Sequence, residues 1–342
     1  MQDIFEYKDC ITPVKAIPSI NIYGVDKVGD RKPTFTIAIP TYKRIRTLGE
    51  TIESALNQED FDDYNIIVVD NNPERGDETE VFMQKYKDHP KVTYYKNSEN
   101  VGMAGNWNKC AVLSEADQFI LLHDDDILYT GALSSFIKCL SILPQNWSLL
   151  KPELDKFEDI NKLKKTKRNN PFLQKLSFVN FFENCPVGAP SGILINKNKL
   201  LEVGGFSMEK YPCIDYEASL KLARNGNAYL LFGYDSLGGY RVSLNESLSE
   251  KTMDNYFIQR SVISKQLMRK CRVPNFAVTI LDAYFEKLSY KVAIQYYNMP
   301  FYRLKTTNEL QTKAGLLSKL VLLVFLVTRK FINISNKKNI LI

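Results

Sequence analysis

Two periodicities alternate along the first half of the chain. Thr34–Pro40 and Asn65–Val69 are short β-branched runs that predict strands, and Arg44–Asn57 between them has apolar residues at helical spacing. The same pattern continues with a helix near Asp77–Lys87, a strand at Val92–Tyr95, a helix near Met103–Ser114 and a strand at Gln118–Leu122. Strands that alternate with helices predict an α/β fold with a mainly parallel sheet flanked by helices, in which ligands bind beyond the carboxyl ends of the strands.

The second half is less regular. Lys151–Lys175 holds eight bases and four acids and is interpreted as a solvated loop or a mobile flap. Further predicted elements are strands at Gly192–Ile195, Tyr229–Phe232 and Gly239–Val242, a helix at Cys213–Arg224, and helices from Lys251 onward. We therefore predict an irregular lead-in at residues 1–33, one continuous domain at residues 34–250 and a helical C-terminal region at residues 251–342.

Composition narrows the class of protein. The chain has 342 residues, of which 44% are hydrophobic and 25% are charged, and this excludes a fully disordered chain. Its six cysteines form no CxxC or paired metal-ligand spacing, so we interpret them as reduced thiols. The first ten residues, MQDIFEYKDC, lack the basic start and apolar core of a secretory signal, and a cytoplasmic location is expected.

The basic excess of the chain lies in its last segment. Residues 301–342 carry eight bases and one acid, which leaves 37 bases and 38 acids in the rest and argues against a nucleic-acid-binding body. Leu320–Val327 is uninterruptedly apolar but shorter than the ~20 residues that span a bilayer. A buried core helix explains this run as well as a membrane surface does. The bases Arg329, Lys330, Lys337 and Lys338 favour peripheral attachment to an anionic membrane on its cytoplasmic face.

The strongest chemical signal is His123-Asp124-Asp125-Asp126, directly after the apolar run Phe119–Leu122. Crowded carboxylates repel one another unless a cation or hydrogen-bond donors offset their charge. Hard oxygen ligands suit Mg²⁺ or Mn²⁺, and a divalent ion on a diphosphate is the favoured interpretation. The alternative is an N-cap cluster for a helix over Ile127–Leu140.

Two other strand ends carry polar side chains. Asp70 follows the second strand and either caps a turn with its asparagine neighbours or accepts a hydrogen bond from a nucleotide base. After the first strand, Tyr42 can pack on a base and Lys43 or Arg44 can meet phosphate, although a helix start with solvated bases is the alternative. Neither GxGxxG nor GxxxxGK[ST] is present, which disfavours dinucleotide-dependent dehydrogenases and P-loop enzymes.

The succession TIAIPTYKR, IIVVD, NVGMAGNWN, ILLHDDD, GAPSGILI, GGF and IDYEASLKLARNG resembles the family 2 glycosyltransferases, inverting enzymes of the GT-A fold, over about residues 34–245. The resemblance implies that Asp215 is the general base and that Asp125 and Asp126 bind Mn²⁺ or Mg²⁺. It also implies a set of residues that bind the nucleotide-sugar, namely Pro40, Thr41, Tyr42, Arg44, Asp70, Asn100, Gly102, Asn108 and Asp124.

The sequence departs from the family's pattern at four places. His123 replaces an acid that commonly opens the metal motif, and Trp107 replaces an arginine in the NxG turn. The late Tyr-Arg-x-His ends in Ser243. The first acid of the family's ED-type pair is Ile214, which leaves Asp215, with Glu217 as the substitute base if the register differs.

The resemblance implies a metal-dependent inverting glycosyltransferase. We expect it to move a sugar from a UDP-linked donor to a glycan or lipid-linked acceptor in bacterial-type surface polysaccharide biosynthesis. A nucleotidylyltransferase would need a glycine-rich loop after the first strand, and PTYKRIRTL has no glycine. The remaining alternative is a catalytically degenerate homologue that acts as a membrane-bound scaffold for glycan assembly.

Overall fold

A computed structural model describes residues 3–24, 31–242, 250–297 and 315–339. Its helices are α1 (Ile11–Ala16), α2 (Ile45–Leu56), α3 (Glu78–Met83), α4 (Gly102–Leu113), α5 (Ala132–Leu140), α6 (Lys197–Glu202), α7 (Ile214–Asn225), α8 (Glu250–Lys270), α9 (Asn275–Tyr297) and α10 (Gly315–Ser335). Its strands are β1 (Ser19–Tyr23), β2 (Phe35–Thr41), β3 (Tyr64–Asp70), β4 (Val92–Asn97), β5 (Gln118–Leu121), β6 (Ile127–Leu128), β7 (Trp147–Pro152), β8 (Asp155–Phe157), β9 (Phe172–Lys175), β10 (Ile193–Asn196), β11 (Asn227–Phe232), β12 (Gly238–Arg241) and β13 (Lys337–Asn339).

Ten of these strands form one sheet in the order β1-β4-β3-β2-β5-β10-β7-β11-β9-β13. Strands β4, β3, β2 and β5 are parallel to their neighbours within this group, as the strand-helix alternation predicts. On the other side, β10 is antiparallel to both β5 and β7, and β11 is parallel to β7. The carboxyl ends of β2, β3 and β5 therefore meet at one edge, where polar residues follow each strand.

The sheet is buried on both faces because its strands are apolar at successive positions. In β2, Ile37 and Ile39 pack in the cluster that contains Leu48 of α2, whereas Ala38 between them packs in the cluster that contains Ala104 of α4. Side chains of a strand point alternately to opposite faces, so one strand supplies both cores. Each fully buried isoleucine stabilises the fold by roughly 1.5–3 kcal/mol. This packing holds the strand ends in fixed positions.

Two predictions about irregular segments were wrong. The lead-in at residues 1–33 contains α1 and β1, and β1 pairs with β4 in antiparallel orientation at the edge of the sheet. The segment Lys151–Lys175, predicted to be a loop or flap, contains the end of β7 and the strands β8 and β9. Because this segment is rich in bases, its short apolar stretches did not indicate strands in the sequence. One of these stretches contains the fully buried Leu173.

The C-terminal region is helical over most of its described length, but the last described segment, β13, is a strand that pairs with β9. Phe325 of α10 is 6% exposed and lies against Phe285 of α9 and Phe182 of the main body, with ring centroids 5.2 Å and 6.3 Å away. The three long helices thus share one core with the sheet. No helix within the described ranges is long and apolar enough to cross a membrane.

Candidate active site

One cavity of about 680 Å³ lies where the strand ends meet. Nine of the twelve site residues predicted from the sequence line it: Pro40, Thr41, Tyr42, Arg44, Asn100, Gly102, Asp124, Asp125 and Asp215. His123, Trp107 and residues of α8 and α9 complete much of the wall. Asp70, Asn108 and Asp126 are not part of the lining. The structure therefore gathers residues from distant parts of the sequence into one site.

The three aspartates occupy the turn between β5 and β6. The alternative interpretation as a helix N-cap was wrong, because the next helix, α5, begins only at Ala132 and its N-cap is Gly131. Asp124 accepts a hydrogen bond from the Thr41 hydroxyl at 2.7 Å, and Arg44 donates to Asp125 Oδ2 at 2.8 Å. The first strand end thereby contacts the acidic turn directly.

Arg241 holds the acidic turn from the other side. Its backbone N–H donates to Asp126 Oδ1 at 2.7 Å, its Nε donates to the Asp125 carbonyl at 2.9 Å, and its guanidinium pairs with Glu50. Arg241 is 7% exposed and lies over the ring of Phe157. These bonds fix the backbone of the turn, and an ordered backbone presents the carboxylates in one geometry.

Burial makes these carboxylates costly to ionise. It raises the pKa of Asp124 to about 6 and, together with the neighbouring Asp125 charge, the pKa of Asp126 to about 7. The pKa of Asp125 is also raised by burial, which the Arg44 charge partly counteracts. A bound cation stabilises desolvated carboxylates strongly, because a nearby positive charge favours their ionised form.

The geometry of the turn suits a divalent cation. Ligand atoms of Asp125, Asp126 and His123 all lie within 4.8 Å of one another. Asp126 is 1% exposed, and its Oδ2 atom has no hydrogen-bond partner in the described part of the chain. A buried carboxylate oxygen without a donor is destabilising unless something else binds it. The predicted metal residues Asp125 and Asp126 therefore fit such an ion.

The turn before α4 is ordered by side-chain amides. Asn71 donates to the Asn100 side chain at 2.8 Å, and Asn100 in turn accepts from the Gly102 N–H at 2.8 Å. Gly102 has a φ of +72°, a backbone conformation that disfavours residues with a Cβ atom. The turn consequently places Asn100 and Gly102 in the cavity wall, and their contact with a nucleotide-sugar stays a prediction.

The structure does not support the predicted contact between Asp70 and a base. Asp70 is fully buried, and its carboxylate accepts from the Tyr94 hydroxyl at 2.7 Å, from Lys96 Nζ at 3.0 Å and from the Asn72 N–H at 2.9 Å. Lys96 also pairs with Asp77 at 2.7 Å. The carboxylate of Asp70 therefore orders the end of β3 below the cavity lining.

Asn108 also differs from its predicted position at the donor. It is 1% exposed, and its side chain donates to the carbonyls of Phe206 at 2.9 Å and Cys10 at 3.2 Å and accepts from the Phe206 N–H at 2.8 Å. A Cβ atom at Gly205 would lie 2.6 Å from Asn108 Oδ1. Asn108 thus joins α4 to the GGF turn and to the lead-in instead of facing the cavity.

Asp215 lies in the first turn of α7 and lines the cavity. The N-cap of this helix is Cys213, so Asp215 does not cap the helix. Burial raises the pKa of Asp215 to about 6, which suits a group that accepts a proton near neutral pH. Glu217, the substitute base, does not line the cavity and pairs with Lys221 at 2.9 Å.

Two features at or beside the cavity, Lys151 and one face of α8, carry no clear functional signal in the sequence. Lys151 donates from Nζ to the Ala189 and Ser191 carbonyls at 2.9 Å and 2.5 Å, and the Ser191 hydroxyl accepts from the His123 N–H at 3.0 Å. Lys151 opens the segment that the sequence predicts to be a solvated loop or flap, because many bases follow it. The wall contributed by α8, with Met253, Tyr256 and Phe257, has apolar spacing of three and four that signals a buried face but not a site.

Comparison with known proteins agrees with this architecture. Residues 36–204 match the profile of Glycosyl transferase family 2. A 109-residue stretch is 37% identical to the GalNAc(5)-diNAcBac-PP-undecaprenol beta-1,3-glucosyltransferase of Campylobacter jejuni and covers 31% of this chain and 34% of that one. A 211-residue stretch is 23% identical to an uncharacterized protein of Mycobacterium tuberculosis and covers 58% of this chain and 65% of that one. The chain therefore spans less than two thirds of the length of either relative.

Among solved structures, S. aureus TarS 1-349 in complex with UDP-GlcNAc superposes with a TM-score of 0.54 at 12% identity, over 84% of this chain and 78% of that one. The complex of the same protein with UDP gives a TM-score of 0.51 at 13% identity, over 84% and 77% of the two chains. The likeness confirms the predicted GT-A fold class with its helical C-terminal region.

Proposed function

Because residues 36–204 belong to glycosyl transferase family 2, we propose that this chain is a metal-dependent inverting glycosyltransferase. It transfers a sugar from a nucleotide-sugar donor to a glycan or lipid-linked acceptor. The observation that carries the proposal is the single cavity in which the end of β2, the acidic turn after β5 and Asp215 of α7 meet. A cation site, a nucleotide-binding edge and a candidate base are the parts that this reaction needs in one place.

In the proposed reaction the acceptor hydroxyl attacks the anomeric carbon opposite the leaving group. Asp215 takes the proton of that hydroxyl, a new bond forms from the acceptor oxygen to the anomeric carbon, and the bond from this carbon to the diphosphate oxygen breaks. Asp125 and Asp126 would hold a divalent ion, which would supply charge stabilisation to the departing nucleoside diphosphate. Arg44, already paired with Asp125, provides a second positive charge within reach of a diphosphate.

The donor is proposed to be UDP-linked. Tyr42 is 46% exposed at the cavity, so its ring is available to pack against a base, and Asn100 and Gly102 offer polar groups to the nucleotide sugar. The structural neighbour TarS 1-349 binds UDP-GlcNAc and UDP, and the same nucleotide is the simplest expectation for a cavity built on the same fold.

The acceptor is proposed to be lipid-linked, in the assembly of a bacterial-type surface polysaccharide. The relative from Campylobacter jejuni is a glucosyltransferase whose name specifies an undecaprenol-linked glycan. In this chain, Met253, Tyr256, Phe257 and Leu288 give part of the cavity an apolar and aromatic wall. Such walls bury the carbon faces of a ligand while a few polar groups orient it.

Helix α10 supports the proposed peripheral attachment to the cytoplasmic face of an anionic membrane. One side of the helix packs in the core through Phe325. On a second side, each of several large apolar residues has at least half of its surface exposed. These residues are Leu316, Leu317, Leu320, Leu323, Val324, Val327, Phe331 and Ile334. Of the predicted basic patch, Lys330, Lys337 and Lys338 are exposed, as is Lys319, whereas Arg329 pairs with Glu183 at 2.7 Å. Each base near an anionic leaflet contributes about 1 kcal/mol.

Donor hydrolysis and transfer decide between this function and a degenerate scaffold. The purified protein is incubated with UDP-GlcNAc and UDP-glucose, with and without Mn²⁺, and free UDP is measured. An active transferase releases UDP only with the metal. Binding of UDP-sugars, seen as a rise in melting temperature, without any release of UDP in the presence of a lipid extract would favour the scaffold.

A further inference from the structure

The acidic turn contains a nitrogen ligand as well as oxygen ligands. His123 and Asp126 each present one buried side-chain atom, Nε2 and Oδ2, with no hydrogen-bond partner in the described part of the chain. A ligand atom of each residue lies within 4.8 Å of the other and of one from Asp125. Two residues whose ligand atoms lie this close, and which each carry a buried polar atom without a partner, form an arrangement that proteins avoid unless a ligand completes it.

The orientation of the imidazole suits metal binding. The indole of Trp107 stacks on this ring, with centroids 5.4 Å apart and an angle of 17° between the planes. The backbone N–H of His123 donates to the Ser191 hydroxyl at 3.0 Å. Side chain and backbone are therefore both held in place before any ion binds.

We propose that Nε2 of His123 ligates the divalent cation together with carboxylate oxygens of Asp125 and Asp126, and that this mixed donor set favours Mn²⁺ over Mg²⁺. Carboxylates and water suit both ions, whereas an imidazole nitrogen suits transition metals and is a poor partner for Mg²⁺. The inference rests on the proposed function, which requires a cation in this place, and goes beyond it by assigning a ligand and a metal preference. It also links two departures from the family's pattern, because Trp107 supports the ring of His123.

Pulsed electron paramagnetic resonance tests the nitrogen ligand without any assay of activity. Mn²⁺ is added to the full chain with and without UDP, and the electron spin echo is examined for modulation by ¹⁴N. We expect ¹⁴N modulation that disappears when the protein is grown with ¹⁵N-labelled histidine. The chain has only two histidines, so His89→Phe serves as the matched control and must keep the signal. His89 accepts a hydrogen bond from the Lys91 N–H through Nδ1, away from the acidic turn.

Two substitutions of His123 separate its possible roles. His123→Phe keeps an aromatic ring against Trp107 and removes the nitrogen, and we expect Mn²⁺ affinity to fall about 10- to 100-fold. His123→Asp replaces nitrogen by oxygen, and we expect the ratio of Mn²⁺ to Mg²⁺ affinity, measured by calorimetry, to fall by at least about tenfold. Asp125→Ala should abolish the Mn²⁺ signal and thereby show that the ion is in this site.

Mn²⁺ that binds in an Asp125-dependent manner but shows no ¹⁴N modulation in the unaltered protein would overturn the histidine ligand and leave the proposed transferase intact. Unchanged Mn²⁺ affinity in His123→Phe would do the same. Absence of Mn²⁺ binding, even with UDP bound, would instead overturn the metal-dependent function together with this inference. Since the spectrum of the unaltered protein is decisive, a variant that fails to fold does not weaken the test.

Discussion

Arg44 donates from one nitrogen, Nη1, to Asp125 Oδ2 at 2.8 Å and to Asp124 Oδ1 at 3.3 Å. The guanidinium thus offsets the negative charge of the acidic turn at the place where we propose that a cation and a diphosphate bind. A divalent ion would compete with Arg44 for Asp125, whereas a diphosphate would offer Arg44 new acceptors. Metal and donor binding are therefore expected to be cooperative.

Replacing Asp125 with Ala should remove the Mn²⁺ dependence of UDP binding while the fold survives. The cation would lose a ligand, and the diphosphate would lose the charge that bridges it to the protein. Calorimetry of UDP binding with and without Mn²⁺ measures the effect. Asp88→Ala, at a carboxylate whose side chain is 89% exposed, is the control and should behave as the unaltered protein. Equal metal dependence in both variants would contradict the assignment.

Asp215→Asn should bind donor normally but transfer sugar about 10²- to 10⁴-fold more slowly. The amide preserves the shape of the carboxylate and cannot take the proton of the acceptor hydroxyl. Glu217→Gln is the matched control, because Glu217 lies two residues away in the same helix and outside the cavity lining. If Glu217→Gln loses turnover and Asp215→Asn keeps it, the base has been assigned to the wrong acid.

Turnover should rise with pH through about 6 and level off above it. Burial raises the pKa of Asp215 to about 6, so the carboxyl is protonated below that pH and cannot act as a base. The profile is measured as kcat at saturating donor and Mn²⁺, where binding of either no longer limits the rate. In Asp215→Asn this limb should disappear, and a limb that persists in the variant would point to another titrating group.

Asn108→Ala should destabilise the fold by about 1–3 kcal/mol and leave UDP affinity unchanged. The substitution removes a side chain that hydrogen-bonds the buried backbone N–H and carbonyl of Phe206. Buried backbone groups without hydrogen-bond partners lower the stability by about this amount. Urea denaturation measures the free energy of unfolding. Asn161→Ala, at an exposed position of the short 3-10 helix Ile160–Lys162, should change it by less than about 0.5 kcal/mol. If Asn108→Ala left the stability unchanged and weakened UDP binding, the contact between Asn108 and the donor predicted from the sequence would be correct.

Val327→Glu should reduce co-sedimentation with anionic liposomes, because a negative charge on the exposed face of α10 opposes both insertion and attraction to the leaflet. Val81→Glu is the matched control, since Val327 is 58% exposed and Val81 on α3 is 57% exposed. If both variants co-sedimented equally with anionic liposomes, α10 would not be the membrane contact. A point change is preferable to removal of residues from Ala314 onward, which would also delete Phe325 from the core.

The half of the sheet that contains β2 to β5 was predictable because its strands and helices are long and strictly patterned. Apolar runs such as Asn65–Val69 end one residue before β3 ends, and Arg44–Asn57 brackets α2 within one residue at each end. Each strand end carries its polar residues next to it in sequence. Local order along the chain was therefore enough to place the acidic turn and the start of α2 at one edge of the sheet.

The other parts depend on contacts between distant residues. The three-residue strand β8 and the four-residue strand β9 lie among lysines, and they form only because β12 and β11 offer backbone partners. Whether a polar residue faces a cavity or the interior is also a tertiary property. Asp70 and Asn108 lie in motifs where a ligand is expected. However, the carboxylate of Asp70 is already bound by Tyr94 and Lys96. The side chain of Asn108 is already bound to the backbone of Phe206.

The pairing of β13 with β9 affects how molecules of this protein meet one another. An outermost strand that exposes its backbone N–H and carbonyl groups is a template for a strand of a second molecule. Lys337–Asn339 pairs with the backbone of Phe172–Gln174 and places two lysines at the edge of the sheet. Lysine at a sheet edge discourages the addition of a further strand. A chain that lost only this short segment would retain its cavity and become prone to self-association through β9.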